Sequence, residues 1–504
     1  MMMENALLPA FPGPQLAGPA RADTPFVAAG RRALATGWAA TGIEELWVYP
    51  FRALRRLRVE GASPAHSARM TPAGFERRFL VDGREVLERI FVPAAAPLAL
   101  LEWVLLPAVS TSGPCLDPLD LELTWECDLA RAETALPPLA RPEALRAAGA
   151  IPLHATVHAR HIVVEQGEPG GPLHGVAAFQ ASRALAAGAE ALPPTRGRPN
   201  PGLLCRAGVR LVPGERVTLT VSAAPETTTL GDGAGPELDA SALVAARVAD
   251  GQRRSTERLS LSATDPLAGQ ALRWAALRLP AYLADLSGSG SPRVAAGYAP
   301  GTPPRPSAGA ALRVGLASLA LGDAALAVAM ARATLEEAEA ADRPLGEATA
   351  GAPVRVPPAT ATLLLFAQHF LWTGSPDETR TAWPRLLELA RALAGGTAGA
   401  PEQTTALIAC ALGQLALVAE SMGQVEDAAA LRAAAAALGR GEAVAAALAE
   451  AGGWKLWQEG AAAGAYRAWR TLAESGLGPA RALWPGAAGP DDASAAARVV
   501  GGVA

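Results

Sequence analysis

Two hydrophobic periods divide the chain. Between about residues 25 and 250, short runs of strand-forming residues recur between turns, at 46–60, 75–92, 98–106, 119–128, 158–165 and 209–223. Most are bounded by Gly, Pro or Asp-Gly. Several alternate apolar with polar positions, the period of a half-buried strand. In FLVDGREVLERIFV, Asp82 and Gly83 separate two such runs. An Asp-Gly pair tolerates the positive φ that the tightest hairpin turns demand. Several short strands separated by turns predict an antiparallel sandwich. The Pro- and Ala-rich residues 1–24 are expected to be disordered, and 225–236 to be a loop.

From about residue 264 the period becomes helical. Asp265 can cap a helix running through Trp274 to Leu286, followed by a Gly/Ser/Pro loop over 287–309. Helices are then predicted at 310–321, 323–340, 358–373, 377–394, 402–422, 424–438, 441–451 and 461–474. Trp383, Leu386, Leu387, Ala390 and Leu393 keep the i, i+3, i+4 spacing of a buried stripe, as do Ile408, Ala411, Leu412, Leu415, Ala419 and Met422. The short breaks at Gly322-Asp323 and Gly423-Gln424 make neighbouring helices antiparallel hairpins. No fixed 34-residue period is present, which disfavours a tetratricopeptide array. The expected organisation is a tail over 1–24, a β-sandwich over 25–250 and a helical-hairpin domain over 264–504.

Composition agrees with two soluble cores. The chain has 504 residues, half of them apolar but only 5% aromatic, so its apolar content is mostly Ala, Leu and Val. A net charge of −4 supplies no basic field for nucleic acid or an anionic membrane. No strongly apolar run of about 18 residues predicts a membrane span, and the N-terminus lacks the basic and apolar regions of a secretory signal. Cys115 and Cys127 are near enough in sequence to meet across a hairpin. Four scattered cysteines without a CxxC pair nevertheless fit a reduced, cytoplasmic protein better.

Two blocks carry a family likeness. GWAATGIEELWVYPFRALRRLRVEG, residues 37–61, resembles the start of the β-sandwich of bacterial glycogen-debranching-type (amylo-alpha-1,6-glucosidase-like) glycosidases. LRWAALRLPAYLADLSGSGSPRVAAGYAPGTPPRPSAG, from Leu272, is similar to that family's leading helix and the loop opening its helical toroid. Further segments follow in the same order: LASLALGDAALAVAMARATLEEA resembles the first hairpin. FAQHFLWTGSPDETRTAWPRLLELARAL resembles an aromatic-rich helix with a WTG turn and a WP helix, and LWPGAAGPDDASAAARVV a later wall segment. The resemblance implies a β-sandwich packed on an (α/α)6 barrel of six-hairpin glycosidase type, acting on α-glucosidic bonds at one mouth of the ring. Only four or five hairpins are counted here, so the toroid is expected to be incomplete and C-terminally shortened.

Glycoside hydrolysis needs one carboxylic acid to protonate the leaving oxygen and a second carboxylate to activate water or attack. In a helical toroid both belong on the loops of the open mouth. The first such loop has no Asp or Glu between Asp285 and Asp323. The second, RPLGEATAGAPVRVPPATA, keeps Glu347, but Gly346 stands at the family's His position, and Pro357, Pro358 and Ala359 occupy its Asp region. The third, ALAGGTAGAPEQ, has only Glu402, at the start of a helix. Glu347 is therefore the weak catalytic candidate, and Tyr298, Arg305 and Glu347 the candidate ligand contacts. Trp454 and Trp457 in WKLWQEG match a wall turn and fit core or interface positions.

Other chemistries find less support. His154, His158 and His161 form HxxxHxxH, but in a strand 161 points away from 154 and 158, which fits no common zinc site. No GxSxG elbow is present, and GDGAG at 231–235 lacks the strand–loop–helix setting of a phosphate cradle. No metal and no cofactor is predicted. The leading expectation is a catalytically inactive glycosidase relative that binds an α-glucan or oligosaccharide or serves in assembly. The alternatives are an active α-glucan hydrolase, using non-standard carboxylates or a partner chain that completes the toroid, and a helical interaction scaffold unrelated to sugars.

Overall fold

The computed structural model describes residues 15–110, 113–115, 117–132, 151–168, 174–193, 202–225, 240–257, 273–274, 276–296, 298, 300–301, 304–340, 356–397, 400 and 402–438. Two antiparallel sheets form the N-terminal half. One has nine strands, in spatial order Leu16–Pro19, Ser67–Thr71, Gly74–Val81, Arg84–Phe91, Leu98–Leu105, Arg216–Ala224, Gly175–Ala181, His161–Gln166 and Leu153–Val157. The other has seven: Ala186–Leu192, Gly202–Leu211, Leu119–Cys127, Phe51–Val59, Gly42–Val48, Ala33–Trp38 and Pro25–Ala29. Rings from the two layers meet in the core. Phe26 stacks on Phe75 with centroids 3.9 Å apart, and Trp125 lies 5.0 Å from Phe179.

The Asp82-Gly83 turn joins its two strands with φ of 50° and 75°, as the sequence predicts. Other boundaries differ. The run 46–60 is two strands folded at Tyr49-Pro50, because proline has no N–H to continue the ladder. The run 209–223 likewise turns near Gly214, and the strand expected from His158 begins at His161, after the turn it shares with His158. Within the tail expected to be disordered, Leu16–Pro19 pairs with Ser67–Thr71 and seals Leu16 into the core.

Seven α-helices are named among the described residues. Helix α1 (Ala240–Glu257) falls where strand was expected up to about 250. It lies against the outer side of the nine-stranded sheet, where Val244 joins Ala73, Phe91, Leu98 and Leu100 in a second small core. With one face on the sandwich interior and the other under α1, Leu98–Leu105 is buried at every position. This accounts for its unalternating sequence LALLEWVL.

The helix expected through 274–286 stops early. A 3-10 turn, Leu279–Tyr282, follows, then the strand Leu283–Ala284. Pro280, which cannot donate to a helical carbonyl, stands at that transition. The expected loop over 287–309 includes the strands Arg293–Ala296 and Arg305–Pro306, which join Leu283–Ala284 in a three-stranded sheet.

The helical hairpins follow: α2 (Ala308–Ala320) with α3 (Ala324–Glu339), α4 (Pro358–Thr373) with α5 (Asp377–Gly395), and α6 (Glu402–Ser421) with α7 (Val425–Leu438). Each boundary lies within two residues of its expected place. Ser307 accepts from Ala310 N–H to cap α2, Asp323 accepts from Leu326 N–H to cap α3, and Gly374 ends α4 at φ 68°. Helices α2, α4 and α6 pack side by side as an inner row, with α3, α5 and α7 behind them, giving a partial α/α ring. Thr404–Ser421 is long and apolar enough to cross a membrane by composition, yet it is the core helix of its hairpin and mostly buried. The helices expected at 441–451 and 461–474, like Asp265, lie outside the described residues.

Candidate functional site

The segment 279–309 links the sandwich to the inner helices, and the sequence places two candidate ligand contacts there. Tyr298 turns inward. Its ring stacks on Tyr282 with centroids 5.4 Å apart, and its hydroxyl donates to the Ala281 carbonyl at 2.9 Å. Burial, with Tyr282 beside it, raises its phenol far above the ordinary tyrosine value. An enclosed ring has no free face for a sugar, so Tyr298 packs the seam and is not available for the ligand contact expected from the sequence. Arg305 sits at the surface, on the short strand paired with Arg293–Ala296. Glu347 lies outside the described residues. Tyr298 and Arg305 thus share one small sheet region but point to different environments.

The same seam contains residues that the sequence did not single out. Asp285 is buried and opens the loop: it pairs with Arg32 Nε at 3.4 Å and accepts from Gly290 N–H at 3.0 Å and Ser287 Oγ at 3.4 Å. Arg32 also donates to the Gly288 carbonyl at 3.2 Å. The helix expected through Leu286 would have included Asp285; in the structure Asp285 opens a turn instead, and its charge partner lies 253 positions away. Arg278 is buried and donates to the carbonyls of Val27 at 3.1 Å and Pro72 at 3.2 Å, while Arg247 donates to that of Ala29 at 3.2 Å. Desolvation lowers both guanidinium groups, Arg247 to about 10.

Carboxylates on the helical side are mostly committed. Asp323 caps α3 and pairs with Arg254 of α1 at 3.2 Å. Glu336 pairs with Arg293 at 3.0 Å, Glu378 with Arg332 at 3.1 Å, Glu339 with Arg385, and Glu420 with Arg432. Asp427 accepts from Trp383 Nε1 at 3.1 Å. Glu337 differs. It lies half-buried in the last turn of α3, at the end from which the 340–357 connection leaves. Desolvation raises its carboxyl above the usual glutamate value, and Arg293 only partly offsets this. Its sequence context, LEEAEA, gives no sign of which of the three acids is set apart.

The histidines do not converge. His158 and His161 stack at 4.1 Å across their turn, while His154 is opposite Glu165 in the ladder. Among the described residues no group of three His, Cys, Asp or Glu side chains is arranged to hold a metal ion. Cys127, Cys205 and Cys410 are free, buried thiols.

This architecture has a counterpart among solved structures. A bacterial glucoamylase, determined with acarbose, matches 85% of this chain and 68% of its own at a TM-score of 0.54 and 11% identity. The fold is glucoamylase-like. A family GH92 alpha-mannosidase of Bacteroides thetaiotaomicron matches over 84% of this chain at a TM-score of 0.46 and 11% identity. Another GH92 glycosyl hydrolase matches over 85% at 0.44 and 11%. The chain covers 61% and 63% of those two proteins, less than two thirds of each. No protein-family model and no curated protein matches the chain. At 11% identity the likeness to glucoamylase concerns the fold alone.

Proposed function

We propose that the chain is a carbohydrate-binding protein on a glycosidase-like scaffold, without hydrolytic turnover. One observation carries this reading. Among the described residues, most carboxylates of the helical side are engaged by arginines, a helix N-terminus or an indole N–H, where hydrolysis needs two acids facing one bond. The glucoamylase-like fold and the acid-poor stretches 286–322 and 348–376 support it further. The ligand class is an α-glucan or oligosaccharide, and three buried free thiols favour a reducing, cytoplasmic setting.

The test is incubation with glycogen, maltooligosaccharides and panose, together with affinity electrophoresis in glycogen gels. The expected result is retardation without glucose release. Turnover that disappears on Glu347→Gln would sink the inactive reading. Absence of both retardation and a thermal shift with maltooligosaccharides would leave a scaffold unrelated to sugars.

Glu337 favours a second reading, an active α-glucan hydrolase with a non-standard acid. Burial raises this carboxyl above the usual glutamate value, the direction a general acid needs, and the group stands where a loop leaves the ring. In that case glucose release is lost in Glu337→Gln, and the second carboxylate comes from elsewhere in the chain or from a partner that completes the toroid.

A further inference from the structure

Two guanidinium groups at the sandwich edge are buried side by side. Arg247 of α1 is 7% exposed, and Arg278, just before the 3-10 turn, 4%. The carbonyls they bind, Ala29 and Val27, are two positions apart on Pro25–Ala29. They therefore face the same edge, about 6.5 Å apart along the strand. The Pro72 carbonyl accepts from the same Nη1 atom of Arg278 as Val27 does. Two like charges are thus held in one enclosed place, and Arg278 stands close enough to repel the positive charge of Arg247.

A cation taken out of water needs a full negative charge beside it, and a carbonyl dipole is not one. Among the described residues, every oxygen that hydrogen-bonds this pair is a backbone carbonyl. Tyr282 and Tyr298 face Arg278, but the Tyr298 phenol is held far above its ordinary value and stays neutral. Asp250 is the carboxylate that acts on Arg247, yet its oxygens bond Arg253 at 2.6 Å and Arg254 at 3.0 Å. Asp323, the other acid nearby, accepts from Arg254 at 3.2 Å. Each acid is matched by an arginine of its own. Loss of a proton is no escape either: Arg247 is lowered only to about 10 and remains charged at neutral pH. Its Nε is moreover buried without a hydrogen-bond partner among the described residues. Repulsion, a missing counter-charge and an idle donor coincide.

We propose that Arg247 and Arg278 form an anion site, taking one compact inorganic anion, a halide or a tetrahedral oxyanion, as a counter-ion between their guanidinium groups. Their slight exposure admits nothing larger, and guanidinium N–H groups make charge-assisted hydrogen bonds to either kind. An anion bound there fastens α1 and the 3-10 turn to the edge strand, so its effect is on stability. The inference does not rest on the sugar-binding reading.

Thermal unfolding of the full-length chain against sodium chloride and, separately, sodium phosphate tests it, with ionic strength held constant by a bulky sulfonate salt. The melting temperature is expected to rise saturably with at least one of the two anions. The rise should be about 2–5 °C at a hundredfold excess over half-saturation. Saturation by chloride marks a halide site, and by phosphate alone an oxyanion site. Arg247→Met, which removes one cation, should weaken the half-saturating concentration by about tenfold, and Arg247→Lys, which keeps the charge, by less. If Arg247→Met does not fold, Arg247→Lys and calorimetric titration of the native chain carry the test, with saturable binding expected. A melting temperature that climbs linearly with either salt, or responds to neither, overturns the proposal. Saturable binding that both variants leave unchanged overturns it too.

Discussion

Arg278 donates its Nη1 proton to the carbonyl of Val27, 251 positions earlier in the chain, at 3.1 Å. Val27 lies on Pro25–Ala29, the last strand of the seven-stranded sheet, and two residues along the same strand the Ala29 carbonyl receives Arg247. Two guanidinium groups thus occupy positions where another strand would otherwise pair. They close the edge and fasten the segments around α1 and the 3-10 turn to the sandwich.

Replacing Arg278 by Met preserves side-chain volume but leaves the Val27 and Pro72 carbonyls without this donor. A buried acceptor left unmatched costs about 1–3 kcal/mol, part of which is offset by removing a desolvated charge. The expected net loss is about 2–3 kcal/mol, read from urea unfolding. An unchanged midpoint would show that the edge does not depend on this donor.

How much of this was legible depends on the range of the interactions. The Asp82-Gly83 hairpin and the caps at Ser307 and Asp323 are local, because a turn or a helix end is decided by residues within four positions. Helix α4 was placed at its observed bounds for the same reason: its proline start and glycine stop are adjacent to it. Tyr298 was misjudged. An aromatic in a Gly- and Pro-rich loop looks like an exposed platform, and only Tyr282 and the Ala281 carbonyl, brought over it by the small sheet, make it a core residue. Helix α1 was missed because its partner is the outer face of a sheet more than 130 residues upstream.

The buried thiols make alkaline stability predictable. Burial raises Cys205 from 9.0 to about 12 and Cys410 from 9.0 to about 11, and holds Cys127 well above 9.0. A raised folded value means that the unfolded chain loses its protons first. The contribution to stability is therefore complete below pH 9 and declines as pH rises through 11 to 12. Native protein at pH 8 is expected to leave these three cysteines unmodified by an aromatic disulfide reagent and to expose all three in urea. Peptide mapping checks this site by site, and rapid native labelling of Cys205 would contradict its placement.

The indole of Trp383 and the carboxylate of Asp427 join the second hairpin to the third. Asp427 also stands in the first turn of α7, where a negative charge meets unpaired helix N–H groups. Asp427→Asn keeps an acceptor for the indole but removes the charge, so its expected cost is about 0.5–1 kcal/mol. Asp427→Ala loses both and should cost about 1–2 kcal/mol. Thermal unfolding of the two variants separates the contributions, and equal costs would mean that the hydrogen bond contributes nothing beyond the charge.

Glu337 gives the prediction with the clearest sign. Its folded carboxyl is raised, so the native state favours the protonated form. That preference stabilises the fold below the unfolded value of 4.5 and is lost as pH rises through the higher folded value. At neutral pH the half-buried carboxylate is therefore a burden. Glu337→Gln, which mimics the protonated form, should raise the melting temperature at pH 7 and leave it nearly unchanged at pH 4. The difference between the two pH values is the informative quantity, because a packing effect of the substitution appears equally at both. If Glu337 is also the acid of a working site, the same variant gains stability and loses glucose release together, the trade expected where a strained group is kept for chemistry. Stability gained with no activity to lose leaves Glu337 a desolvated helix-end acid and strengthens the binding-only reading. A melting temperature that falls at pH 7 shows that the carboxylate is well satisfied, and removes Glu337 from consideration as an acid.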